Sequence, residues 1–128
     1  MNEPKWLLRS VIDAMHDMQI AEHGGAEGVR DEALIESALA RPKNKFTYGM
    51  TDICELAACL AVGLARNHLF VDGNKRITFL AAYVFLKING FQLKAGEISA
   101  TRVMVDLAAG QIEESELADW FKANTVVG

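Results

Sequence analysis

The sequence lacks any hydrophobic run long enough to cross a bilayer. Its longest unpunctuated apolar stretch, "ITFLAAYVFL" (77–86), is ten residues and is followed by Lys87, whereas a spanning helix needs roughly 20. An excess of basic charge is also missing. The net charge is -4 and the pI near 5.3, so there is no global basic footprint and no direct nucleic-acid binding is expected. The opening "MNEPKWLLRS" has Glu3 in place of a basic n-region and no small-residue cleavage site, so it does not read as a secretory signal. A cytoplasmic, soluble protein with no membrane partner is the expectation. Cysteine is scarce, with two residues in 128. Cys54 and Cys59 fall in what reads as one helix, about 7.5 Å apart along its axis, beyond the reach of a disulfide. Neither has a histidine or second cysteine at metal-site spacing, so both read as small buried apolar side chains. Repeats, low-complexity tracts and linkers are absent, which predicts a single domain over 1–128.

What is present is apolar and helical in period. Hydrophobic residues make up 51% of the chain and charged residues 23%, a balance that excludes disorder and supplies a continuous core. A first helix is predicted over about 4–20, with Trp6, Leu7, Val11, Ile12, Met15, Met18 and Gln19 at three- and four-residue intervals. "HGGAEG" (23–28) breaks it. A second helix, 30–40, is capped by Asp31, carries Leu34, Ile35, Ala38 and Leu39 inward, and stops at Pro42. The stretch 43–50 reads as a loop, with a short extended flap as one form. A third helix starts at Thr51 or Asp52 and marks one face with Ile53, Leu56, Ala57, Leu60 and Leu64. The fourth, from about Asn74 to Asn89, is apolar nearly all round, as an enclosed central helix is. Asn89-Gly90 ends it. One short extended piece in 91–97 and two helices, about 99–108 and 114–123, complete the chain. No alternating run is long enough to anchor a sheet, so the predicted class is all-α, a compact helical bundle.

Between the third and fourth helices lies "HLFVDGNKR" (68–76). Residue by residue it reads as helix punctuation. Gly73 permits a turn, Asn74 caps, Lys75 and Arg76 reach the surface, and His68 complements a helix C-terminus. The combination carries chemistry. Phosphate binding at a helix N-terminus needs free N–H groups, a glycine for close approach and positive charge nearby; Gly73, Asn74, Lys75 and Arg76 supply these in order. Two cations in a first turn oppose the helix dipole, a conflict that a bound anion removes. Asp72 offers a hard oxygen to a Mg²⁺ bridging phosphates, and His68 has the pKa range to accept a proton from an attacking hydroxyl. The spacing is neither a P-loop nor a dinucleotide-binding fingerprint. Elsewhere, His16 and His23 have no partners at metal spacing and are assigned surface or loop positions. Glu22 and Glu27 give "HGGAEG" the wrong sign for a phosphate loop.

These residues resemble the Fic/Doc superfamily signature, H-x-F-x-[DE]-[GA]-N-[GK]-R, matched by His68, Phe70, Asp72, Gly73, Asn74, Lys75 and Arg76. Lys75 stands where Fic adenylyltransferases usually carry glycine and is similar to the Doc (death-on-curing) toxin branch. "RDEALIESALARPKNKFTYG", "LKINGFQL" and "DLAAGQIEESELADWF" extend the resemblance over roughly residues 20 to 122. It implies His68 as general base, Phe70 as structural support of the loop, Asp72 as Mg²⁺ ligand, and Gly73, Asn74, Lys75 and Arg76 as nucleotide-phosphate ligands. It implies further that ATP donates its terminal phosphate to a hydroxyl of elongation factor Tu, arresting translation. Many Fic adenylyltransferases have a second arginine where this chain has Phe79, and the self-inhibitory motif [ST]-x-x-x-E-[GN] is missing. Both departures imply a kinase restrained in trans by an antitoxin, whose tail folds as a helix over the site. The family's flap, which orders the target segment, would correspond to Lys45, Phe46, Thr47 and Tyr48, for which ordinary loop packing is the competing reading. Two other functions fit the same residues: AMP or nucleotidyl transfer to a protein hydroxyl, and a catalytically inactive module that docks an antitoxin or a translation component.

Overall fold

The computed structural model describes residues 3–25, 32–66 and 74–128. Along the chain these form α1 (Arg9–His23), α2 (Glu32–Thr47), α3 (Ile53–Arg66), α4 (Asn74–Ile88), β1 (Phe91–Leu93), α5 (Glu97–Ala108), α6 (Glu114–Ala123) and β2 (Thr125–Val127). Helices dominate, as the periodicity predicts. α3 is the centre of the bundle and packs against α2, α4, α5 and α6.

The sequence of α3 explains its position. "ICELAACLAVGLAR" is buried from Ile53 to Ala65 except at Glu55, and its alanines let neighbouring helices approach from several sides. At Gly63 a Cβ would stand 3.3 Å from the Cβ of Ala38, so the missing side chain sets the α2–α3 separation. Asp52 starts the helix by accepting the Glu55 N–H at 3.0 Å, the expected cap. The enclosed central helix is therefore α3 rather than α4. α4 buries Ile77, Ala81, Ala82, Phe85 and Leu86 but leaves Lys75, Arg76, Leu80, Lys87 and Ile88 exposed.

α1 begins at Arg9, later than the periodicity suggests. The residues before it form an extended arm whose apolar side chains pack as the helix's do, which mimics helical spacing. Trp6 stacks on Phe85 at 6.2 Å and meets Phe46 edge-on at 5.7 Å. Asn89 holds the arm: its Oδ1 accepts the Lys5 N–H at 2.8 Å, and its Nδ2 donates to the Lys5 and Phe85 carbonyls, each at 2.9 Å. Arg9 joins α1 to α2 through Asp13 at 2.9 Å, Glu32, and Glu36 at 3.3 Å. These carboxylates raise the pKa of its guanidinium, led by the bond to Asp13. The inward stripe of α1 is Ile12, Met15, His16 and Gln19; Met18 is exposed.

Pro42 does not stop α2, which runs on to Thr47. An interior proline loses its N–H from the ladder and crowds the carbonyl four residues back, but here its ring is buried, so packing offsets the loss. The helix ends at a Tyr48–Gly49 turn, with Gly49 at φ 107. The segment 43–50 is thus mostly helix and turn, not an extended flap. Asp31, the expected cap of α2, lies outside the described residues. The short extended element is elsewhere: β1 pairs antiparallel with β2, Phe91 opposite Val127 and Leu93 opposite Thr125. Gly90, at φ 89, turns the chain from α4 into β1.

Candidate active site

The last residue of α3, Arg66, donates through Nη2 to the Ile112 carbonyl at 3.1 Å, which ties that helix end to the α5–α6 connection. α4 starts at Asn74, as expected. Of the motif, His68, Phe70, Asp72 and Gly73 lie outside the described residues. The described part of the site is therefore the first turn of α4. Lys75 and Arg76 are exposed there, and the turn contains no acidic residue. Ile77 and Thr78, each 1% exposed, fix the turn to the core. The first four N–H groups of any helix have no acceptor within it, and the dipole adds partial positive charge. Lys75 and Arg76, exposed at this helix end with no acidic residue in the turn, are suited to an anion. The chemistry of this turn, two cations beside helix N–H groups, fits a phosphate chain such as that of ATP.

One turn further along, Phe79 is half-buried with its ring 6.4 Å from that of Tyr83. No phosphate-binding group therefore occupies position 79. Among the described residues no group of three His, Cys, Asp or Glu side chains could hold a metal ion.

The four candidate flap residues are divided by the fold. Phe46 is engaged with Trp6, and the Thr47 hydroxyl donates to the Lys43 carbonyl at 3.1 Å. Lys45 is exposed and Tyr48, at 89%, projects almost fully into solvent. Lys45, Thr47 and Tyr48 are exposed to solvent, whereas Phe46 is half-buried.

Cys54 and Cys59 are both buried free thiols, as expected. Burial pushes the Cys59 thiol up to about 11, although Arg41 Nη1 donates to its Sγ at 3.3 Å. Arg41 also reaches the Cys59 carbonyl at 2.8 Å and Glu114 at 2.7 Å, fastening α2, α3 and α6 together. A cavity of about 230 Å³ lies among Asp52, Cys54, Phe91, Lys122 and Thr125, at the N-terminal end of α3.

The expectation for the histidines holds only in part. His23 is exposed, 3.7 Å from Glu22. His16 is buried, at 6%, because it falls four residues after Ile12 on the inward stripe. No helix among the described residues is long and apolar enough to cross a membrane.

A helical bundle with this helix-opening motif defines a class, and the chain belongs to the Fic/Doc family: the family model matches residues 6–86, a span that includes the whole motif. It is similar to the protein kinase doc of Escherichia phage P1, 36% identical over 107 residues that cover 83% of this chain and 84% of the relative. It is also similar to Toxin Doc of Mycolicibacterium smegmatis, 49% identical over 75 residues, covering 56% and 57% of the two chains. The Doc branch and the enzyme class implied by Lys75 agree with these relatives.

Proposed function

We propose that the chain is the toxin of a toxin–antitoxin pair, a protein kinase that transfers the γ-phosphate of ATP to a hydroxyl of a translation factor, elongation factor Tu being the candidate. The observation that carries this reading is the first turn of α4, where Asn74 opens the helix and Lys75 and Arg76 stand exposed with no acidic neighbour in the turn. The relative named protein kinase doc, matched over most of both chains, supports it.

In this reading the amides and cations at residues 73–76 hold the phosphates in line with the target hydroxyl. His68 accepts the hydroxyl proton as the oxygen attacks the γ-phosphorus. The bond from that phosphorus to the β–γ bridging oxygen breaks, and ADP leaves with the electron pair. Asp72 is the candidate Mg²⁺ ligand; when bound, that ion neutralises charge on the β- and γ-phosphates. An antitoxin segment covering this turn is the expected restraint, and the whole chain, 1–128, acts as one domain in the cytoplasm.

Label placement tests the reaction. γ-Labelled ATP should mark the target protein, and His68→Ala should abolish both labelling and growth arrest while the fold persists. Label arriving only from the α position would replace the kinase reading with AMP transfer. Growth arrest that survives His68→Ala would point instead to a binding module.

A further inference from the structure

Around the cavity of about 230 Å³ at the N-terminal end of α3, residues of α3, α6 and both strands come together. The lining is of two chemical kinds. Ile53 of α3, Phe91 of β1 and Val127 of β2 supply apolar surface, whereas Asp52, just before α3, and Lys122 of α6 supply one charge of each sign. Phe91 stands opposite Val127 in the antiparallel register, and directly opposed residues share a sheet face. Val127 is nevertheless 84% exposed, an apolar side chain left in solvent at the edge of the cavity.

The two charges are the informative pair, because they do not close on each other. Lys122 Nζ lies 3.4 Å from Glu55 Oε1, and Asp52 is held as the cap of α3, its Oδ1 accepting the Glu55 N–H at 3.0 Å. Among the described residues no ion pair joins Asp52 to Lys122. Asp52 is still the leading reason that the Lys122 ammonium is held above its ordinary range, ahead of its bond to Glu55. The cavity is therefore lined by a cation and an anion that feel each other without touching. Its size sets a further limit. Sites for drug-sized ligands run to roughly 300–1,000 Å³, so this one excludes a nucleotide. At about 30 Å³ per water its filling displaces roughly eight waters, the bulk of a free amino acid.

We infer that this cavity binds a small zwitterion, a free α-amino acid with an aliphatic or aromatic side chain. Asp52 receives the ammonium on the carboxylate oxygen that the helix cap leaves over, and Lys122 takes the carboxylate. The side chain lies against Ile53, Phe91 and Val127, removing the exposed valine from water. A ligand carrying both charges answers both groups at once. An amine or a carboxylate alone leaves one of them unanswered, so the paired charges set specificity. The cavity is separate from the first turn of α4, and neither the phosphate donor nor the target of the proposed kinase enters it.

The test titrates the full chain with leucine, and with 4-methylpentanoate and 3-methylbutylamine, which keep the branched body but lose the amine or the carboxylate. Calorimetry reads affinity, and the melting temperature reads stabilisation of the folded chain. Leucine should bind saturably and raise the melting temperature. Each single-charge analogue should bind at least about tenfold more weakly, the loss of one charge-assisted contact. Lys122→Met keeps the apolar stem, and Asp52→Ser keeps a helix cap; each should weaken leucine binding by at least about the same factor. No saturable binding of leucine, methionine or phenylalanine at millimolar concentration overturns the inference. Equal binding of leucine and its two analogues does so too, as does unchanged leucine affinity in either variant. Should a variant fail to fold, the three ligands compared on wild type decide.

Discussion

At the scale of single residues, the two cations that open α4 are better explained by a ligand than by the helix. Lys75 and Arg76 sit where the dipole already places positive charge, and neither has an acidic neighbour in the turn. Lys75→Ala and Arg76→Ala should therefore leave the melting temperature unchanged or slightly raised. Each should weaken MgATP binding by roughly 10- to 100-fold, the loss of one charge-assisted contact. Calorimetry beside thermal melting checks both halves, and equal losses of binding and stability would return these side chains to a structural role. Arg76→Lys is the sharper variant, because a guanidinium can grip phosphate in two places and an ammonium cannot. A Lys that restores charge but not affinity would identify bidentate recognition. These residues were legible in the sequence because the nine-residue motif is contiguous. The burial of His16 was not legible, since nothing local distinguishes a polar residue facing a packed interface from one facing water.

At the scale of elements, helix existence could be read from the chain, but helix ends needed the packing. Asp52 and Gly90 act where local chemistry places them. Pro42 misled because the penalty for an interior proline is a local one, whereas its burial is a tertiary gain. The arm before α1 misled for the converse reason: Trp6 and Leu7 are core residues at helical spacing, but they are held by Phe85, Phe46 and Asn89 rather than by helix hydrogen bonds. That arm yields a prediction. Asn89→Ala removes three hydrogen bonds, two of them to Lys5, and should cost about 1–3 kcal/mol. Amide exchange at Lys5 should rise more than exchange in α3. Uniform acceleration across both would mean that the arm and core open together and that Asn89 is no separate clamp. A larger insult at α2–α3 is Gly63→Val, whose branched side chain has no room against Ala38; overpacking there should cost about 1–3 kcal/mol, read as a lowered urea midpoint.

At the scale of the whole molecule, α2, α4, α5 and α6 all pack on α3, so access to its interior reports global opening. Cys59 is 0% exposed on that helix. Burial is the main reason that its thiol is pushed from the usual 9.0 up to about 11, with Arg41 acting weakly in the opposite direction. A neutral buried thiol is a poor nucleophile, and native chain should therefore react with a thiol reagent only as fast as it unfolds, with Cys54 the quicker of the two. The same shift fixes the sign of one pH dependence. Between pH 9 and 11 the unfolded thiol has lost its proton while the folded one retains it, so the folded state binds more protons and stability falls as pH rises through that window. Below pH 9 both states hold the proton and the contribution is complete. Urea midpoints of wild type and Cys59→Ala across this range isolate the effect from other groups titrating there: the variant should decline less steeply, and parallel curves would remove Cys59 as the source. Because Arg41 links this thiol to Glu114 and α6, Arg41→Met should raise the Cys59 pKa further. The steeper loss would then begin at the same pH and continue to a higher one.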